Sequence, residues 1–129
     1  MMFANCQLGG MDLGFPDVCR TPIPPIPYPN MAIGPTTIPI CFNLLLCCMP
    51  KHNLMSIRPM SQGDDLGVGL GMICPTVMAP QTHVTGAFTH ILRGTPATRV
   101  TSLGPSNLFN CPISVRLIPS QIKQLLLCA

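Results

Sequence analysis

Glutamate and tryptophan are absent from this chain, tyrosine occurs once, and charged residues make up only 9% of it. An ordinary soluble domain is about a quarter charged. With no glutamate, any acid–base chemistry rests on Asp12, Asp17, Asp64, Asp65 or a histidine. No nucleophile elbow, P-loop or zinc-protease helix motif is present. The glycines of "LGVGLG" (66–71) alternate, which is not the dinucleotide fingerprint, and the stretch reads as a tight apolar turn. Long apolar runs are missing too. The stretches 21–50 and 66–92 carry no formal charge, but Pro, Gly, Asn, Gln or Thr interrupt both. Neither offers the roughly 20 continuous apolar residues of a membrane helix. "MMFANCQLGG" lacks the basic and apolar regions of a secretory signal, so synthesis as a soluble cytoplasmic protein is expected. The seven basic residues form no run and are not interleaved with aromatics, which gives nucleic-acid binding no support.

What is abundant are breakers and apolar residues. The 129 residues include 16 prolines and 11 glycines, while 47% of the chain is hydrophobic. Proline removes a backbone donor and clashes with the preceding helical turn, so long helices are excluded. Short strands joined by tight turns are not, and an all-β domain spanning 1–129 is expected. A chain with so few ionic groups must also present neutral or apolar surface, which marks a partner interface. Eight cysteines would suggest disulfides in a secreted chain, but the missing signal favours reduced thiols. Cys41, Cys47 and Cys128 lie in apolar runs and read as small buried hydrophobes. Cys19, Cys74 and Cys111 sit beside proline or charged residues, where a ligand role is more natural.

The segment "TPIPPIPYPN" (21–30) has five prolines in ten residues and must run extended. It reads as a rigid crossing segment with Ile23, Ile26 and Tyr28 turned inward, rather than as a polyproline ligand. An internal repeat relates "TTIPICFNLLLCCMPKH" (36–52) to "THVTGAFTHILRGTPAT" (82–98) at a constant offset of 46 residues. Thr36 meets Thr82, Ile38 meets Val84, Phe42 meets Phe88, Leu45 meets Ile91, Leu46 meets Leu92 and Pro50 meets Pro96. A partial third copy lays Leu125 over Leu44. Each unit reads as a strand or hairpin ending in a proline turn, and such units sharing one core imply pseudo-symmetry. Period-2 alternation puts Phe88, His90 and Leu92 on one strand face and Ala87, Thr89, Ile91 and Arg93 on the other. In "PISVRLI", Ile113, Val115 and Leu117 alternate with Ser114 and Arg116. A single turn near 120–127 is the only helical candidate.

Thiolates and imidazoles together suit Zn²⁺. His52 follows Cys48 by four residues, His83 precedes the strand of the second unit, and Cys111 follows a loop. His90 falls within a strand and reads as a structural histidine. The ligands come singly along the chain, so no zinc-finger spacing is present.

"GTPATR" (94–99) resembles the Pro-Ala-Ala-Arg signature of the PAAR proteins, with Thr98 in place of the second alanine. "MFANCQLGGMDLGFPDVC", "PIPYPN", "CMPKHN", "THVTGAF", "NCP" and "LIPSQIKQLLL" are similar, in the same order, to PAAR-like proteins of bacterial type VI secretion systems. The chain departs from the simplest members in its proline-rich segment and in having Val100-Thr101-Ser102 after the signature. The resemblance implies a small conical β-hairpin repeat domain of pseudo-threefold character, with little helix and no effector extension. It implies a structural, non-enzymatic role capping the VgrG trimer, one copy per trimer, with effector or adaptor cargo and transient contact with a target membrane. The protein would be made in the bacterial cytoplasm and leave on the spike. It implies one structural Zn²⁺ near the point, held by Cys19, His52, His83 and Cys111, with Cys48 and His90 in reserve. Arg99 would pin the proline turn by donating to nearby carbonyls. A small zinc- or thiol-dependent enzyme, or the tip of another contractile injection system, is the alternative reading.

Overall fold

The computed structural model describes residues 2–22 and 24–127. The chain is almost entirely β, with one short 3₁₀ turn at Gly34–Thr36. The strands are β1 (Met2–Phe3), β2 (Met11–Cys19), β3 (Ile26–Ile33), β4 (Cys41–Leu46), β5 (Met49–Lys51), β6 (Ala87–Leu92), β7 (Thr95–Ala97), β8 (Leu103–Ser106), β9 (Cys111–Ile118) and β10 (Leu125–Leu126). Four of them form an antiparallel sheet in the order β3-β2-β9-β8, while β4-β5, β6-β7 and β1-β10 form two-stranded ribbons. No helix among the described residues is long and apolar enough to cross a membrane.

The repeat is a structural repeat. In β4-β5, Cys41 faces Lys51, Leu45 faces Pro50 and Leu46 faces Met49, with a register shift between Cys41 and Leu45. In β6-β7, Ala87 faces Ala97, Ile91 faces Pro96 and Leu92 faces Thr95, with the shift at the same place. Both tight turns need left-handed backbone, at Cys47 and Cys48 in the first and at Arg93 and Gly94 in the second. Positive φ at both central residues suits the right-handed twist of a two-residue hairpin. Beyond the hairpins the correspondence continues: Ile38 N–H donates to the Ile57 carbonyl and Val84 N–H to the Leu103 carbonyl, each at 2.8 Å.

The third copy is assembled from both ends of the described chain. Met2 faces Leu126 and Phe3 faces Leu125. Leu125 thus takes the place of Leu45, not of Leu44, one residue from the match expected on sequence. A one-residue slip is cheap within a leucine run but reverses every side chain in a strand. A ring of backbone hydrogen bonds ties the three copies together. Asn5 N–H donates to the Thr98 carbonyl (3.1 Å), Thr98 N–H to the His52 carbonyl (3.2 Å), and His52 N–H to the Asn5 carbonyl (3.1 Å). Each unit repeats one donor and acceptor, as pseudo-threefold symmetry demands.

The apolar core lies inside the ribbons and is small: Ala4, Cys41, Ala87, Leu92, Ala97 and Leu126, with Leu46 against it. The register shift in β6 overturns the simple alternation expected there, since Ala87 and Leu92 are both buried while Phe88 and Ile91 are exposed. Away from the ribbons the interior is polar. Among the described residues 23 buried residues are polar or charged and 11 are apolar, so hydrogen bonds must carry much of the specificity of this fold. In β9 the period-2 pattern holds, but Ser114 and Arg116 point inward and Ile113 and Leu117 outward.

Two further expectations are corrected. Ile26 is exposed and Tyr28 half-buried, while Ile23 lies outside the described residues. The later part of the proline-rich segment is the start of β3, an edge strand, where proline's missing N–H leaves no partner unsatisfied. The segment around 120–127 forms β10 and no helical turn. The signature Pro96 and Ala97 belong to β7, and the Arg99 backbone bridges Ala4 and accepts from Ser102 N–H.

Candidate functional site

Strand β2 carries two buried acids, Asp12 and Asp17, and each organises a separate cluster. Near its start, Asp12 pairs across the sheet with Arg116 of β9. Arg116 Nη1 donates to Asp12 Oδ1 at 3.2 Å, and Arg58 Nε meets Asp12 Oδ2 at 2.8 Å. His83 Nε2 lies 3.3 Å from the same oxygen, with Arg58 Nη1 3.5 Å from His83 Nδ1. That pattern fixes a neutral His83, donating from Nε2 and accepting at Nδ1. Burial alone would raise the Asp12 pKa, but the His83 hydrogen bond and the guanidinium charges of Arg58 and Arg116 hold it down at about 2. His83 is lowered by burial and by the guanidinium charges, against the pull of Asp12. His52 is pulled down to about 3 by burial, then by Arg58, Arg116 and His83.

At the far end of β2 the sign reverses. Asp17 and Cys19 are two positions apart on one strand, so their side chains share a face. Asp64, from the long connection after β5, joins them. One ligand atom from each of Asp17, Cys19 and Asp64 lies within 4.8 Å of the others, and all three residues are buried. Asparagine amides line the carboxylates. Asn30 Nδ2 donates to Asp17 Oδ2 at 2.6 Å, Asn107 Nδ2 donates to Asp17 (3.1 Å) and Asp64 (2.5 Å), and Asn110 donates to Asp17 Oδ1. Cys111 opens β9 beside them. Burial and the charges of Asp17 and Asp64 push the Cys19 thiol up to about 11. Burial and the charge of Asp17 raise the Cys111 thiol likewise to about 11, against a backbone hydrogen bond at Ile113. Asp64 is itself raised, mainly by burial.

Two glycines let backbone approach these thiols. A Cβ on Gly14 would come 2.7 Å from Cys111 Sγ, and one on Gly67 would come 2.8 Å from Cys19 Sγ. Only glycine fits so close an approach. Gly67, in the alternating-glycine stretch, therefore serves the site.

The donor set fits a divalent cation. Two buried carboxylates and the Cys19 thiol, with Cys111 nearby and no cationic side chain among the described groups acting on either thiol, form a low-dielectric anionic site whose charge neutral amides do not cancel. Thiolate and carboxylate oxygen are both ordinary ligands of Zn²⁺.

The four ligands expected from sequence divide between the clusters. Cys19 and Cys111 lie with Asp17 and Asp64, while His52 and His83 lie with Asp12, Arg58 and Arg116. Two guanidinium groups oppose a dication at the histidines. The reserve ligand Cys48 is exposed in the β4-β5 turn, and His90 lies in β6. Sequence reasoning did not single out Asp17 and Asp64 as candidate ligands. The i, i+2 spacing in "FPDVC" was the available signal for Asp17, whereas nothing local marks Asp64.

These features define a class: an all-β, pseudo-threefold hairpin-repeat domain with a buried anionic cluster at one end of its main sheet. The chain matches the family model described as the toxin PAAR-like domain over residues 10–113, most of its length, and it belongs to that family. Asp17, Cys19, Asp64, Asn107, Asn110 and Cys111 all fall inside the match. No curated protein and no solved structure matches the chain.

Proposed function

We propose that the protein caps a trimeric VgrG spike in a type VI secretion system, one copy per trimer, and serves as a structural tip and cargo adaptor rather than as an enzyme. The observation that carries this reading is a threefold set of exposed apolar side chains on the ribbons. Phe42 and Leu45 of the first copy match Phe88 and Ile91 of the second, and all four are about 60% exposed. With Leu125 in the place of Leu45, the same spacing puts Ile122 in the place of Phe42, and both are exposed. A pseudo-threefold apolar face is what a true threefold partner surface can cover. Family membership supports association with spike components and with toxin delivery. The raised thiols argue against a thiol enzyme, since a nucleophilic cysteine needs a lowered pKa. On this reading the protein is made in the cytoplasm and leaves on the spike, contacting the target membrane in passing.

The test is the mass of a complex with a VgrG trimer. One copy per trimer is expected, and the triple variant Phe42→Gln, Phe88→Gln, Ile122→Gln should weaken binding at least 100-fold. Three copies per trimer, or unchanged binding by the triple variant, would contradict the proposal.

The same reading includes one structural Zn²⁺, held by Asp17, Cys19 and Asp64 with Cys111 beside them. Bound there, zinc would neutralise the carboxylates, deprotonate the thiols and add folding stability. Metal analysis of Cys19→Ala, Asp17→Asn, Cys111→Ala, His52→Ala and His83→Ala decides between the clusters. Zinc should be lost in the first three and kept in the histidine variants. Loss in Cys19→Ala, Cys111→Ala and both histidine variants, with zinc kept in Asp17→Asn, would restore the mixed set expected from sequence.

A further inference from the structure

The Asp12 cluster holds more positive charge than it can balance. Arg58, Arg116 and Asp12 are all no more than 1% exposed. Two guanidinium groups face one carboxylate, and the His83 hydrogen-bond pattern leaves that ring neutral. Among the described residues Asp12 is the one acid acting on Arg58, whose own pKa falls to about 10 through burial and through Arg116, against Asp12. A buried charge without a counter-ion costs several kcal/mol. The cluster also holds idle donors. Among the described residues, Arg58 Nη2, Arg116 Nε and both His52 ring nitrogens have no hydrogen-bond partner, and neither have the side chains of Asn5 and Thr98. Asn5, His52 and Thr98 are the three members of the backbone ring on the pseudo-threefold axis, and each is 1% exposed.

We propose that a small monovalent anion of chloride size binds inside the domain, held by Arg58, Arg116 and His52 beside the Asn5–His52–Thr98 ring. It would supply the missing negative charge and accept from the idle guanidinium N–H groups. Water could fill idle donors, but it leaves the surplus charge in place. The site is independent of the zinc proposed at the far end of β2 and of the spike partner.

Crystals of the full chain grown in sodium bromide, with data collected at the bromine edge, test this directly. An anomalous peak is expected within hydrogen-bonding reach of Arg58 and Arg116. In solution, the melting temperature should be higher in sodium chloride or bromide than in sodium gluconate of equal ionic strength, by on the order of 5 °C. Arg58→Gln, which removes the surplus charge, should abolish that difference. Should that variant fail to fold, the anomalous peak still decides. Anomalous peaks confined to exposed surface sites, or a wild-type melting temperature equal in halide and gluconate, would overturn the proposal.

Discussion

The two buried clusters of β2 sit five residues apart along one strand and are built on opposite principles. Asp12 is surrounded by cations, and its carboxyl is held at about 2. Asp17 is surrounded by asparagine amides and stands beside Asp64, whose carboxyl is raised. The first aspartate is the minority charge in a cationic cluster, and the second shares an anionic one. Replacing either with asparagine deletes the same charge, so the difference in outcome measures the environment rather than the residue.

The largest effect is expected from Asp12→Asn. It leaves Arg58 and Arg116 buried side by side with no carboxylate, and breaking a buried pair from one side costs about 3–5 kcal/mol. Urea unfolding should show that loss, and a change below about 1 kcal/mol would mean the guanidinium charges are balanced by something else in the fold.

Acid should loosen the first cluster and spare the second. His52 falls from an ordinary value of 6.5 to about 3. The folded state therefore binds fewer protons than the unfolded state between those values, and stability drops as pH is lowered through that window. The His52 contribution is on the order of 4 kcal/mol, and His83 acts in the same direction. Asp12 adds a further loss between 3.8 and about 2. Asp64 runs the other way: its raised pKa contributes stability that is present in acid and lost as pH rises through the folded value. In metal-free protein, unfolding free energy measured from pH 7 to 4 should fall steeply in wild type and much less in His52→Gln. Equal slopes would separate the acid response from this cluster.

Asp64→Asn sharpens the contrast from the other side. It relieves carboxylate repulsion with Asp17 and keeps an oxygen for the Asn107 amide. Metal-free stability should change by no more than about 1 kcal/mol, while zinc affinity should fall 10- to 100-fold by competition titration. A collapse as deep as that of Asp12→Asn would make the two clusters equivalent.

The smallest effect belongs to the ribbon face. Phe88→Gln should leave stability within about 0.5 kcal/mol, because the ring is 60% exposed and buries little area on folding. A larger loss would mean that Phe88 holds the hairpin rather than a partner.

Much of the ribbon region was legible in the sequence and little of the polar interior was. The offset of 46 residues identified two hairpins that match in strand, turn and register, because a hairpin is local and its turn and proline recur at fixed places. The third copy was harder, since its strands come from residues 2–3 and 125–126 and no local pattern joins them. Alternation in β9 was visible, but which face would be buried was not: apolar side chains ordinarily turn inward, and here Arg116 and Ser114 do. Cys19 and Cys111 were legible as candidate ligands, but the fold places them with Asp17 and Asp64 rather than with His52 and His83, a juxtaposition of distant residues that no local pattern records.

By itself the sequence determined what depends on neighbours along the chain. Proline and glycine content excluded helices and dictated short strands, and the low charge left apolar side chains on the surface. The hairpin repeat set a pseudo-symmetric body, and the ordered motifs carried the family resemblance. Tertiary structure alone decided what depends on distant pairs. It brought Asp64 to Asp17 across 47 positions, and Arg58 and Arg116 to Asp12 across 46 and 104. The physical reason is that charge and desolvation act through space. A buried aspartate takes its properties from whichever groups folding places within a few ångströms, and nothing in its flanking residues records their sign.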